Sequence, residues 1–196
     1  MPNLLLSITI AYLAGAINFS ILLFKILGKA DPRKEFSCNP GVVNVYRQAG
    51  LPVAALVWLL DMGRAIGVGV LSLQLVTIDL LPWSGLALIL GNRFPCFHGF
   101  RGGKGVANYL GFTAVIAPLA AGISALAWLA TFALWRIPFV GSFVMLLILG
   151  AGTLLACNFD PRSAAAVLAT LALIVHGHRR NISEMIRNRR KADKRR

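Results

Sequence analysis

A chain of 196 residues is about one domain long, with 57% of its residues hydrophobic and only 14% charged. A soluble domain carries about a quarter charged residues to cover its surface, so a water-soluble globule is excluded. Three cysteines cannot build a disulfide framework, and the apolar content excludes disorder, which leaves an all-α protein of the membrane.

Apolar runs divided by Gly, Pro and basic residues predict seven transmembrane helices, at 4–26, 53–73, 76–92, 105–118, 119–135, 138–157 and 163–178. Met1–Leu6 contains no Lys or Arg, so the charged start of a signal peptide is missing. Ala14-Gly15-Ala16 mimics a cleavage site but reads as a close helix contact. The first span leads into a polar segment, 28–50, that is long for a plain connection. Within the second span Asp61 and Arg64, three apart, fit a buried ion pair, with support of a site from behind as the other role open to Asp61. The third span leads into a second polar segment, 93–104, and the fourth is short enough to be tilted or re-entrant. The chain thus reads as one transmembrane domain, 1–178, and a basic tail, 179–196.

The formal net charge of +13 is concentrated, with nine of twenty Lys and Arg residues in 179–196. A nucleic-acid reader would carry a basic stripe on a soluble module. A cluster that follows an apolar run instead suits the cytoplasmic face and its anionic lipid. With the C-terminus inside, seventeen basic residues lie in the segments 28–50, 93–104, Arg136 and 179–196, and only Arg162 lies outside. That asymmetry predicts the N-terminus out and the C-terminus in.

Three polar clusters then share the cytoplasmic face. The first is Ser37-Cys38-Asn39-Pro40-Gly41-Val42-Val43-Asn44-Val45-Tyr46-Arg47. Its hydroxyl and amides can bond phosphate or polyol oxygens, and Arg47 offers a planar fork. The second contains Gly102-Gly103-Lys104-Gly105, flexible backbone ahead of a helix with one ammonium, which suits a phosphate cradle. The nucleotide P-loop pattern fails here, because His98 and Gly105 stand where it needs Gly and Ser or Thr. The third places His178 and Asn181 three apart on one helix face. Together they point to a phosphate ester bearing hydroxyls. Cys38, Cys96 and Cys157 show no metal spacing, and no pair of the seven carboxylates brackets a reaction centre.

At these clusters the sequence resembles the bacterial acyl-phosphate:glycerol-3-phosphate acyltransferase family. The family's segments Gly-Ser-Gly-Asn-Pro-Gly-Ala-Thr-Asn-x-x-Arg, Phe-Pro-x-Phe-x-x-Phe-Lys-Gly-Gly-Lys-Gly and His-Arg-x-Asn-Ile correspond to Phe36–Arg47, Phe94–Gly105 and His178–Ile182. Ser37, Asn39, Asn44, Arg47, Lys104, His178 and Asn181 are retained. Phe36 and Cys38 replace the family's glycines, Val43 and Asn108 its threonines, Asn92 a histidine, and Arg101 a lysine.

The resemblance implies a seven-span inner-membrane enzyme that moves an acyl group from acyl phosphate to glycerol 3-phosphate, making lysophosphatidic acid without metal or organic cofactor. Lys104 and Arg47 would neutralise phosphate, with Ser37, Asn39 and the Gly102, Gly103 and Gly105 backbone completing the cradle. The acyl tail would lie near Phe94 and Phe97. A substrate phosphate would take the hydroxyl proton, with His178 as general base the competing role. A non-catalytic binder of glycerol or lipid phosphates is the alternative reading. Transport fits less well, since no internal repeat is present and the clusters lie at one surface. The His-x4-Asp pair of acyl-CoA enzymes is absent after His98 and His176.

Overall fold

The computed structural model describes residues 2–193, with side-chain surroundings for 3–187, and every regular element in that range is helical. The final residues of the expected basic tail, 194–196, lie outside the described residues. Helices α1 (Pro2–Ala16) and α2 (Phe19–Ile26) are one apolar stretch broken at Ile17-Asn18. There Asn18 Oδ1 accepts the Ile21 N–H at 3.2 Å and caps α2. Helix α3 (Val42–Leu75) breaks at Gly50, whose φ of 77° only glycine adopts easily. Pro52 follows at the start of the longer limb, where its missing N–H costs least. Helices α4 (Leu81–Arg93), α6 (Pro118–Trp135), α7 (Pro138–Ala156) and α8 (Pro161–Gly177) also carry proline in their first turn. Helix α5 (Val106–Ile116) starts from Gly105, and α9 (Arg179–Asp193) follows α8 across His178.

Four stretches are long and apolar enough to cross a membrane alone: Asn3–Ile26, Val42–Leu75, Pro118–Trp135 and Pro138–Ala156. Helices α4, α5 and α8 have 13, 11 and 17 residues. They therefore rise about 20, 16 and 25 Å, against a hydrocarbon thickness of ~30 Å. The runs 76–92 and 105–118 are each shortened for a local cause. The run 76–92 becomes helical only from Leu81, because Leu80 N–H closes a turn on Thr77 O at 3.0 Å just before Pro82. The run 105–118 stops at Ile116, because Ala117 precedes Pro118 and is pushed out of helical geometry (φ −140°, ψ 71°).

Close backbone approach sets the packing of α1 on α4. A Cβ at Gly15 would stand 2.1 Å from Leu88 O, and one at Gly91 would stand 2.0 Å from Tyr12 O. The small-residue reading of Ala14-Gly15-Ala16 is therefore correct. Polar side chains add glue where lipid leaves little hydrophobic driving force between helices. Ser7 Oγ lies 2.6 Å from Ser84 Oγ and 3.0 Å from Ser72 Oγ, joining α1, α3 and α4. The expected ion pair is present: Arg64 Nη2 donates to Asp61 Oδ1 at 2.8 Å, and both side chains are nearly buried. Arg64 also donates to Asn108 Oδ1 at 2.6 Å and to the Ile17 carbonyl at the break between α1 and α2. Three cores complete the bundle, one around Ile89, Tyr109 and Leu149, one around Leu81, Leu88 and Phe112, and one around Phe24, Val45 and Val57.

Candidate functional site

The first polar segment is folded by its own side chains. Asp31 holds Arg33 at 2.7 Å, and Arg33 Nη1 donates to the carbonyls of His98 (2.7 Å) and Arg101 (2.9 Å), stapling this segment to the second. Asn44, buried in the first turn of α3, donates through Nδ2 to Pro32 O at 2.9 Å and Glu35 O at 3.3 Å, and accepts the Ser37 N–H at 3.3 Å. Asn44 shapes the loop, and its amide is already engaged on both atoms instead of offering itself to a phosphate. Phe36 and Cys38, at two positions that the family fills with glycine, have φ of 50° and 52°. Left-handed backbone costs a side-chain-bearing residue about 1–2 kcal/mol, so the motif's shape is kept at some strain.

The glycine run is engaged as well. Gly102 N–H donates to Arg93 O at 3.1 Å and Gly103 N–H to Asn92 O at 2.9 Å, closing the carboxyl end of α4. The Gly102 and Gly103 N–H groups are therefore engaged within the protein. The residues are small because Gly102 presses on α4, where a Cβ would meet Asn92 O at 1.9 Å. Gly105, with φ of 89°, turns the chain into α5 and has no side-chain cap. The first turn of α5 supplies the unpaired backbone N–H groups that an anion could use.

Lys104 stands between these features. Its Nζ donates to Asn181 Oδ1, and its stem lies along Gly177. Partial burial and the nearby Arg93 and Arg47 push its pKa down to about 8, with Glu184 pulling the other way. His178 ends α8 as a buried residue, its ring edge-on to Phe143 at 5.3 Å. Burial, Lys104 and Arg93 push its pKa down to about 4. The neutral ring places Nδ1 2.9 Å from Ile174 O, the geometry of an Nδ1–H donor, which leaves Nε2 as an acceptor.

The three clusters meet. Arg33 ties the first to the second and Lys104–Asn181 ties the second to the third, while the Arg180 guanidinium lies in the neighbourhood of Cys38. Arg47 is exposed but acts on Lys104, while Ser37 and Asn39 are half-buried on the same loop. Sequence reasoning missed Arg33, Arg93, Arg180 and Glu184. Only Arg33 had a local signal, the Asp31-x-Arg33 spacing. Phe94 and Phe97 are exposed, and all three cysteines are free. Among the described residues no group of three or more His, Cys, Asp or Glu could hold a metal.

An apolar helical bundle that gathers cations and a neutral histidine at one end defines a membrane protein built to handle phosphorylated molecules. Comparison with known proteins narrows that class. A family described as glycerol-3-phosphate acyltransferase matches residues 5–188, and the chain belongs to that family. A glycerol-3-phosphate acyltransferase of Pseudomonas paraeruginosa is 35% identical over 182 residues, covering 92% of this chain and 94% of the relative. One of Methylobacillus flagellatus is 41% identical over 128 residues, covering 64% of this chain and 65% of the relative. The glycerol 3-phosphate form of PlsY (YgiH), an integral membrane glycerol 3-phosphate acyltransferase, superimposes with a TM-score of 0.87 at 32% identity, covering 95% of this chain and 93% of that one. The lysophosphatidic acid form gives 0.84 at 31% identity, with the same coverage.

Proposed function

We propose that the protein acylates glycerol 3-phosphate with an acyl phosphate as donor, giving 1-acylglycerol 3-phosphate at the cytoplasmic surface of the inner membrane. The observation that carries this reading is Lys104, held by Asn181 amid Arg93 and Arg47 and beside a neutral His178. Crowded cations favour a ligand with several negative charges, and the reaction brings two phosphates together. The primary hydroxyl of glycerol 3-phosphate attacks the acyl carbonyl carbon. The bond from that carbon to the bridging oxygen breaks, and inorganic phosphate leaves carrying the hydroxyl proton.

Lys104 and Arg47 neutralise the two phosphates, and Ser37, Asn39 and the first turn of α5 bond their oxygens. His178 Nε2 accepts from a glycerol hydroxyl and orients it. A base with a pKa near 4 takes a hydroxyl proton poorly at neutral pH, so the donor phosphate is the better acceptor. The acyl tail runs past Phe94 and Phe97 into the bilayer.

For the chain as a whole we infer seven membrane passages, the N-terminus out and the C-terminus in, supported by the lopsided basic residues. The basic tail meets anionic lipid. Purified protein given labelled glycerol 3-phosphate should make lysophosphatidic acid from acyl phosphate and none from acyl-CoA. Product from acyl-CoA alone would overturn the donor assignment.

A further inference from the structure

We propose that α9 is an interfacial helix that docks on the anionic phospholipid surface of its own bilayer and, once docked, holds Asn181 and Arg180 in the site. The role of the site rests on the acyltransferase reading, whereas the docking itself rests on the helix alone. Helix α9 starts just past His178, where α8 ends, so it emerges at the membrane surface. Ile182, Met185 and Ile186 follow i, i+3, i+4 spacing and form one short apolar stripe. Ile186 is 44% exposed, and Ile182 and Met185 are half-buried. Arg179, Arg180 and Arg187 are exposed around that stripe, and the sequence continues with basic residues at 189, 190 and 191.

The main packing partner of α9 within the protein is the end of α8 from which it continues. The same helix nevertheless delivers Asn181 to Lys104, Arg180 to the side of Cys38, and Glu184 into the field of Lys104. The site is thus completed by a helix that meets the other helices chiefly through the end of α8, so whatever covers its outer faces bears on how well Asn181 is placed. An apolar stripe flanked by arginines fits the headgroup and acyl boundary of an anionic monolayer. A second copy of α9 would bring like charge against like, and a neutral surface would leave the arginines without partners.

The test uses the full chain in nanodiscs of phosphatidylcholine alone and of phosphatidylcholine with phosphatidylglycerol. Amide hydrogen exchange over 179–193 and initial rates of acylation are measured in both. The comparison variant is Arg187→Gln/Arg189→Gln/Arg190→Gln/Lys191→Gln, which leaves every site residue in place. Each basic residue at an anionic surface strengthens docking about fivefold, so the four changes together should weaken it more than a hundredfold. Wild-type exchange should slow about tenfold or more with phosphatidylglycerol, and about 0.5 M salt should restore it by screening.

A negative bilayer alone depletes a dianionic substrate near its surface and lowers kcat/KM for both proteins, so their ratio is the readout. The wild-type to variant ratio should be near one in phosphatidylcholine and rise at least threefold with phosphatidylglycerol. Exchange that is the same in both lipids, or equally slowed in the variant, would overturn docking on anionic lipid. Slowed exchange with a flat ratio would overturn the link to the site. Slowed exchange with no turnover in either nanodisc would uphold docking and overturn the acyltransferase reading.

Discussion

Removing the Lys104 ammonium tests the site at its centre. Partial burial, Arg93 and Arg47 lower its pKa from 10.5 to about 8, which disfavours the charged form by roughly 3 kcal/mol in the free protein. A bound dianion reverses that penalty, so the energy withheld from the empty site returns as phosphate binding. One preorganised donor of this kind contributes ~3–4 kcal/mol to a transition state. Lys104→Ala should therefore lower kcat/KM by about 10²–10³. The sign of the pH effect follows from the same shift. The charged lysine is required, so on the basic side activity falls about tenfold per unit as pH rises through about 8.

Lys104→Arg should carry this falling limb beyond about pH 10, because a guanidinium stays charged. It should still lose at least about tenfold near neutrality, because a wide fork replaces a point charge whose stem runs along Gly177. Initial rates of lysophosphatidic acid formation, corrected for spontaneous hydrolysis of acyl phosphate, read both effects. A basic limb unmoved in Lys104→Arg, or normal kcat/KM in Lys104→Ala, would refute the electrostatic account.

The acid side of the same profile should follow the second ionisation of glycerol 3-phosphate near 6. His178, pushed down to about 4, does not titrate there, so His178→Gln should keep that limb and much of the rate; abolished turnover with normal substrate affinity would make the histidine the base. Phe36→Gly and Cys38→Gly should each raise stability by up to about 1 kcal/mol, because both positions hold left-handed backbone, and thermal unfolding in detergent reads the gain. Gly102→Ala should fail to accumulate as folded protein, because its Cβ would stand 1.9 Å from Asn92 O. Cysteines introduced at Lys34 or Arg101 should resist an impermeant thiol reagent applied outside the cell, and one at Thr77 should react; the reverse pattern would invert the topology.

Much of this arrangement is legible before any coordinates. Apolar runs report burial in lipid, and proline and glycine mark where they break, so the helices are foreshadowed to within a turn or so at most boundaries. The break at Asn18 escapes because hydropathy runs straight through it, and the helical turns from Val42 to Gly50 escape because they lie in a polar segment that reads as a connection. At the site, residue types pointed to Lys104, His178 and Asn181, which do meet. The bonds of Asn44, Gly102 and Gly103 escape for a shared reason: their polar groups answer to partners well along the chain. No spacing rule shows that Gly103 N–H closes on Asn92, or that Arg33 reaches across to His98.

The departures from the family pattern make physical sense when traced to their contacts. Asn108, where the family has threonine, extends an amide oxygen to Arg64 at 2.6 Å. Arg64 in turn holds Asp61 and the carbonyl at Ile17, so one guanidinium joins the α1/α2 break, the middle of α3 and the first turn of α5. A buried charge that loses its partner costs about 3–5 kcal/mol, and the added amide gives this one another acceptor. The benefit is local to the site, because Lys104 stands four residues before Asn108 at the entrance to α5. A network that fixes this turn fixes the base of the lysine. Asp61 thus holds the guanidinium that reaches Asn108, four residues from Lys104.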